Sequence, residues 1–376
     1  MGITEFLLQA SKLNATDVYI TPGRAPIFRI NGSVIPIDSP QIGLHLEQNQ
    51  QAQAAPLRPQ DTDAMMREIS TPEQYAKFLE HGELDFSYSI PGAIRVRVNV
   101  FKQRGSVALA VRLLKNEILS FSELGLPRVL EDLSRRRHGL VLITGPTGSG
   151  KSTTLASMIE LMNKERQLHI ITLEDPIEYL FKHNMCTINQ REIGEDTRSF
   201  STALRASLRA HPDVIMVGEL HDLKTISIAL KASETGHLVL ATLHTKGAPE
   251  TIDRIIDVFP PYQQQQVRIQ LAGVLEGVLS QLLLPKADRS GLVVAVEVLV
   301  TSPATRNVIR EGKTYQLLSH IQTGIKHGMI SLDTNLKELY QKGLIDKTEA
   351  LYSARDPENL KLELDQIRQN KPSGFA

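Results

Sequence analysis

A chain of 376 residues, 41% of them hydrophobic and 22% charged, has the composition of a globular protein and, at roughly 150 residues per domain, material for two or three domains. Its 42 lysines and arginines match its 42 aspartates and glutamates, so no overall positive excess favours nucleic acid as a partner. The one cysteine, Cys186, excludes an intramolecular disulfide framework and a cysteine-based zinc site, and no apolar run approaches the roughly 18 residues of a membrane span.

A soluble, cytoplasmic chain is therefore expected, with membrane contact made only through partners. The start, MGITEF, has Phe at the sixth position where a myristoylation signal needs Ser or Thr. The segment ITEFLLQASKLNA carries apolar residues at helical spacing, and VYIT reads as a short strand ending at Pro22-Gly23. PIFRINGSVIPI reads as a hairpin around Asn31-Gly32. Residues 40–59, rich in Gln and Ala, carry no chemistry. QDTDAMMREI is helical, and a second helix starts with Thr71 as N-cap and Pro72 as its first residue. ELDFSYSI, AIRVRVNVFKQ and SVALAVRLL read as strands, the first two joined at Pro91-Gly92. Alternation in RVRVNV places Arg95, Arg97 and Asn99 on one face and Val96, Val98 and Val100 on the other. Such an arginine face is either a solvated sheet surface or a presenter of positive charge to a neighbour's phosphates. Residues 1–114 thus predict a mostly antiparallel α+β domain, and 115–138 a linker and connecting helix with a basic end.

From 139 onward the pattern changes to strands and helices in alternation. Leu140 to Ile143 read as a buried strand, followed by GPTGSGKST and the helix-like TTLASMIELM. Gly145, Gly150, Lys151 and Ser152 fit G-x-x-x-x-G-K-[ST] in the strand-before, helix-after context that the motif needs. Gly145, Pro146, Thr147, Gly148, Ser149, Gly150, Lys151, Ser152 and Thr153 are the candidate phosphate-binding residues. Glycines let backbone N–H groups turn toward a phosphate, Lys151 can reach the β- and γ-phosphates of ATP, and Ser152 can hold Mg²⁺. Downstream, HIITL ends in Glu174-Asp175-Pro176 and VIMV ends in Gly218-Glu219, so two apolar strands each deliver an acid where open α/β sheets keep their chemistry. Either Glu174 or Glu219 could serve as a general base. GHLVLATLHT is a further strand, bracketed by His237 and His244. PETIDRIIDVFP and YQQQQVRIQLAGVLEGVLSQLLLP read as helices, the second half-buried, with Glu276, Gly277 and Gln281 interrupting its apolar run. GLVVAVEVLV is a strand, and helices follow at about 302–311, 315–327, 331–342 and 346–354.

GPTGSGKST (145–153), ITLEDPIEY (171–179), DVIMVGE (213–219) and GHLVLATLHT (236–245) resemble, in order and spacing, the Walker A, aspartate, Walker B and histidine boxes of the secretion and type IV pilus ATPases. RVRVNVF (95–101), NQREIGEDT (189–197), VEVLV (296–300) and ATRNVIREGKTYQL (304–317), with no four-cysteine zinc element, make the chain similar to the retraction branch, PilT, rather than to extension or secretion enzymes. The resemblance implies a RecA-like P-loop NTPase domain over 139–376 preceded by a PAS-like α+β domain over 1–114, in a homo-hexamer that binds ATP and Mg²⁺. By the same resemblance Glu174 orients and deprotonates water, Glu219 acts on Mg²⁺ together with Ser152, and His237 senses the γ-phosphate. Arg95, Arg97 and Arg112 become candidate positive charges from the N-terminal domain. The implied partners are the inner-membrane platform protein of the pilus machinery and a paralogous retraction ATPase, at the cytoplasmic side of the pilus base.

Two stretches depart from the family pattern. GELHDLKT has His221 and Lys224 where the family commonly has Arg and Glu, and LRAHPD has Ala210 and His211 where an acidic pair is usual. An assembly ATPase and a slowly hydrolysing accessory subunit are the competing readings. In 304–317, Arg306, Asn307 and Arg310 are expected on an exposed polar face that contacts the pilus partner, with Val308 and Ile309 toward the core.

Overall fold

The computed structural model describes residues 2–30, 32–39, 55–91, 93–114 and 117–369. Two compact units divide the chain: Met1–Asn116 with Glu178–Leu180, and Glu117–Ile177 with Phe181–Ala376.

In the first unit, α1 (Ile3–Lys12) buries Ile3, Phe6, Leu7 and Ala10, the spacing of a single helix face. The strands β1 (Asp17–Ile20), β2 (Ile27–Ile30), β3 (Ser33–Pro36), β4 (Glu83–Ile90), β5 (Ile94–Gln103) and β6 (Ser106–Leu113) pair antiparallel in the order β3-β2-β1-β6-β5-β4. The β2–β3 hairpin sets Ile30 opposite Ser33; Asn31 of its expected turn, Gly92 of the Pro91-Gly92 turn and residues 40–54 lie outside the described residues. Between β3 and β4 run α2 (Pro59–Ile69) and α3 (Pro72–His81). Thr71 and Gln74 cap α3 reciprocally, Gln74 N donating to Thr71 Oγ1 at 3.2 Å and Thr71 N to Gln74 Oε1 at 2.9 Å. Val96, Val98 and Val100 enter the core with Phe6, Phe28, Met66 and Phe78.

The segment expected to link the domains belongs instead to the second unit, as α4 (Phe121–Leu124) and α5 (Val129–Ser134). Phe121, Leu126, Leu130 and Leu133 are buried in that unit's core, and this burial decides the boundary. Seven strands follow: β7 (Gly139–Thr144), β8 (His169–Glu174), β9 (Thr187–Glu192), β10 (Val214–Val217), β11 (Leu238–Leu243), β12 (Leu275–Pro285) and β13 (Leu292–Val300). Their order is β13-β12-β7-β11-β10-β8-β9, with every neighbouring pair parallel except β12 and β13. The helices are α6 (Lys151–Glu165), α7 (Phe200–Ser207), α8 (Leu223–Glu234), α9 (Ala248–Asp257), α10 (Pro261–Val274), α11 (Pro303–Arg310), α12 (Leu317–Thr323), α13 (Leu332–Gln341), α14 (Lys347–Ser353) and α15 (Pro357–Gln369). The last three form a separate apolar cluster with Leu284 and Ala295, and Arg355 ties it down through Glu250 at 2.8 Å and the buried Glu297 at 3.0 Å. Burial pushes the Glu297 carboxyl up from its ordinary value, and the Arg355 charge works against that push. Among the described residues no helix is long and apolar enough to cross a membrane.

Three expectations change. The stretch LEGVLSQLLLP is strand β12, not the continuation of a helix, because it is inserted between β7 and β13. A short apolar run buried on both sides has no period that separates helix from strand. Gly277 suits this place: a Cβ there would lie 2.8 Å from Leu133 Cδ1 and 3.1 Å from Leu299 O. Neither β9 nor α15 is legible as a periodic element, and the helix expected at 315–327 is α12 flanked by short 3₁₀ turns at Thr314–Gln316 and Ile325–His327.

Arg306 is the third. It is not a solvent-facing charge: its Nη1 donates to Ala272 O at 2.7 Å and Gly273 O at 2.5 Å, and its Nη2 to Glu276 Oε1 at 2.7 Å. The guanidinium thereby caps the C-terminal carbonyls of α10 and pairs with Glu276, the second residue of β12. Arg310 remains exposed, and Asn307 bonds Glu311 at 2.8 Å. Arg306→Ala is expected to cost about 1–3 kcal/mol of stability, whereas Arg310→Ala stays within about 0.5 kcal/mol. Denaturant unfolding of the two single variants checks this, and equal stabilities would remove the capping role.

Candidate active site

Parallel pairing of β7, β8, β10 and β11 brings their C-terminal ends to one edge of the sheet, so the residues that follow them converge. After β7 the loop Gly145–Gly150 leads into α6, whose first two residues are Lys151 and Ser152. Gly145, Gly148 and Gly150 hold φ of 142°, 80° and 86°, conformations that side-chain-bearing residues resist. Gly145 has a second reason: a Cβ on it would stand 2.2 Å from Gln281 O. Lys151 Nζ donates to Gly145 O at 2.9 Å and Pro146 O at 3.0 Å, so the ammonium is folded over the loop.

The residues present suit a phosphate. Ser149 is 3% exposed and its Oγ has no hydrogen-bond partner among the described residues, a buried polar atom of the kind that a ligand satisfies. A Cβ at Gly148 would meet nothing within 4 Å, so the loop crest is open on that side. The helix N-terminus adds its partial positive charge.

Around the loop stand two acids and a histidine. Glu219 follows β10 by two residues, and its Oε1 lies 3.2 Å from His244 Nε2. His244 Nδ1 lies 3.3 Å from Lys151 Nζ, so the ring bridges the acid and the lysine. An ammonium only donates, which makes Nδ1 the acceptor and places the ring proton on Nε2, toward the carboxylate. Glu174 ends β8 and is 7% exposed. Its Oε1 accepts from Thr172 Oγ1 at 2.6 Å and from Gln190 Nε2 at 3.1 Å, and Gln190 Oε1 in turn accepts from Phe181 N at 3.0 Å. Thr172 sits two residues back on the same strand face, a relation that alternation alone would have shown. Gln190 lies in the stretch NQREIGEDT, but nothing in that stretch ties it to Glu174: only the pairing of β9 with β8 sets Gln190 beside Thr172.

His237 is a correction. It precedes β11, whose start pairs with Gly139 and whose end pairs with Thr144 beside the loop. A strand rise of ~3.3 Å per residue puts His237 about 20 Å from its own chain's phosphate loop. Its Nδ1 lies instead 3.0 Å from Ala232 O, at the end of α8. Of the two bracketing histidines, His244 alone is at this site.

Arg95, Arg97 and Arg112 lie on the first unit's sheet, on its polar face. Register makes a row across the strands: Arg29 opposite Asp17, Asp17 opposite Arg112, Arg112 opposite Arg97, Arg97 opposite Ser87. Asp17 pairs Arg112 at 3.1 Å and Arg29 at 3.5 Å, while Arg95 Nη1 donates to Ser89 Oγ at 3.1 Å. Arg97 makes no ion pair among the described residues and directly faces a like charge, an arrangement that sheets ordinarily avoid. Of the departures, His221 is exposed and meets Phe200 edge-on at 6.0 Å, and Asp222 caps α8 through Thr225 N at 3.0 Å. His211 ends a 3₁₀ turn at φ 50°.

Residues 79–313 match the family Type II/IV secretion system protein. The chain belongs to that family. It is 44% identical over 359 residues to the type IV pilus retraction ATPase PilT of Pseudomonas aeruginosa, covering 96% of this chain and 100% of the relative. It is 40% identical over 335 residues to a twitching motility protein of Neisseria gonorrhoeae, covering 89% and 86% of the two chains. A crystal structure of the pilus retraction motor PilT with bound ADP superposes with a TM-score of 0.86 at 46% identity, over 96% of this chain and 99% of that one. Within the family the chain therefore sits in the PilT branch, whose members are ATP-hydrolysing P-loop enzymes, and both expected folds stand: a RecA-like α/β unit and a preceding α+β unit.

Proposed function

We propose that this chain is the subunit of a hexameric motor that hydrolyses ATP at the Gly145–Thr153 loop to retract type IV pili and drive twitching motility. The observation that carries the hydrolytic reading is the Lys151–His244–Glu219 chain beside the buried Glu174; similarity to PilT along almost the full chain supports retraction as the output. In this reading the loop N–H groups and Lys151 bind the triphosphate, and Ser152 and Glu219 hold Mg²⁺. When bound, that ion offsets charge on the β- and γ-phosphate oxygens. Glu174, its Oε1 held by Thr172 and Gln190, orients the attacking water and accepts its proton, while His244 registers the γ-phosphate through its contact with Lys151. Arg95, Arg97 and Arg112 supply positive charge across a subunit boundary. The partners are a membrane platform protein at the cytoplasmic base of the pilus and a paralogous ATPase of the PilU kind, a protein to which this chain is 37% identical over 347 residues.

Deleting the gene in its host tests the output directly. Loss of retraction predicts abundant surface pili and no twitching, restored by the wild-type chain. A deletion strain without pili would point to assembly, and one that twitches normally would exclude the retraction role.

A further inference from the structure

Gln281 is 2% exposed on β12, the strand beside β7, and its amide reaches both flanks of the phosphate loop. Nε2 donates to Ser149 O at 2.5 Å, and Oε1 accepts from Thr154 Oγ1 at 2.9 Å. Ser149 O can only accept, so the amide has one orientation: its N–H points at the loop carbonyl and its Oε1 takes the Thr154 hydroxyl proton. Backbone and side chain of Gln281 both press on the loop: a Cβ on Gly145 would stand 2.2 Å from Gln281 O, and one on Gly150 3.2 Å from Gln281 Nε2. One residue earlier, Ser280 Oγ and Thr144 Oγ1 share a hydrogen bond of 2.6 Å, fixing the strand end from which the loop departs.

The consequence follows from peptide planarity. Ser149 C=O and Gly150 N–H belong to one trans peptide unit and point in opposite directions. Drawing Ser149 O toward β12 therefore aims the Gly150 N–H away from β12. Gly150 has φ 86°, so the loop itself offers little resistance to rotation of that plane, and an external anchor is needed to choose its direction.

We propose that Gln281 is a positioning residue for ATP hydrolysis, acting through Ser149 O to hold the Gly150 N–H in its phosphate-binding direction. The inference rests on the reading of this loop as the phosphate site. A preorganised donor aimed at developing charge is worth roughly 10²–10³ in rate when removed, and a misdirected one loses part of that. Gln281→Leu should lower kcat at least about 10-fold and weaken ADP binding several-fold, with the nucleotide-free protein still folded. Gln281→Glu keeps size and the acceptor for Thr154 but, when ionised, has no donor for Ser149 O. Protonation returns an O–H donor, and burial raises the pH at which this happens. The activity of Gln281→Glu relative to wild type should therefore climb as pH falls from 8 toward about 6.

The measurement is steady-state ATP turnover of the full chain across that pH range, with ADP titration calorimetry and a thermal melt for each variant. Wild-type kcat and KM in both variants would overturn the inference, as would losses that track only the folded fraction or a Gln281→Glu ratio flat in pH. If Gln281→Leu does not fold, the isosteric Gln281→Glu profile decides. A wild-type chain without ATP turnover would overturn the phosphate-site reading and this inference together; wild-type turnover with unaltered variants would overturn the inference alone.

Discussion

Lys151→Ala is expected to lower ATP turnover on the order of 10²–10³-fold or more, the largest effect of any single change in this chain. Phosphoryl transfer leaves little covalent work for the protein; it depends on positioning and on charge placed where the transition state develops it. Lys151 supplies that charge, and no other lysine or arginine of the second unit is hydrogen-bonded to the loop carbonyls among the described residues. The substitution also takes the lysine donor from Gly145 O, while Pro146 O keeps the Ser149 N–H at 3.2 Å, at a cost of about 1–3 kcal/mol, so a melt must accompany the phosphate-release assay. Retained wild-type turnover in a folded variant would sink the site assignment. The same variant tests the arginine row. If Arg97 acts on a neighbour's nucleotide, Arg97→Ala subunits mixed with Lys151→Ala subunits should regain part of the activity that each lacks alone, because some boundaries then carry both residues. Intact mixed rings with no recovery would mean that Arg97 acts within its own subunit or not at all.

Glu174→Gln is expected to reduce turnover about 10²-fold or more while nucleotide binding persists. An amide oxygen can still accept from Thr172 Oγ1 and Gln190 Nε2, so the local geometry is retained while proton acceptance is lost. Glu219→Gln provides the contrast. Its side chain is 39% exposed and bonded to His244, so the main loss there should be in Mg²⁺ dependence, read as a raised magnesium requirement. Reversed outcomes, with Glu219→Gln catalytically dead at saturating magnesium and Glu174→Gln active, would exchange the roles of the two acids.

Much of this protein was legible without coordinates because its strongest signals are local. G-x-x-x-x-G-K-[ST] fixes a loop through backbone requirements within eight residues, and the acid-ended strands announce themselves by a few consecutive apolar residues and a charge. Thr71-Pro72 and the alternating RVRVNV follow from capping chemistry and the two-residue strand period. The first unit's helices and its strands β4, β5 and β6 needed nothing more.

What tertiary structure alone decided is whatever depends on neighbours far away in sequence. Whether LEGVLSQLLLP is helix or strand is settled by β7 and β13 on its two sides, not by its own period. Once it is a strand, Gln281 turns from an interruption in an apolar run into a brace on a loop 132 residues away. Gln190 reaches Glu174 only because β9 pairs with β8. His237 and His244 look equivalent in sequence, yet a strand has two ends, and the parallel register with β7 gives the phosphate loop to one of them. Arg306 reads as surface charge until the carbonyls at the end of α10 are placed beside it. Sequence determines the local conformational preferences and the chemistry available; which distant groups meet is set by sheet order and register, where burial and hydrogen-bond satisfaction are decided jointly by several strands.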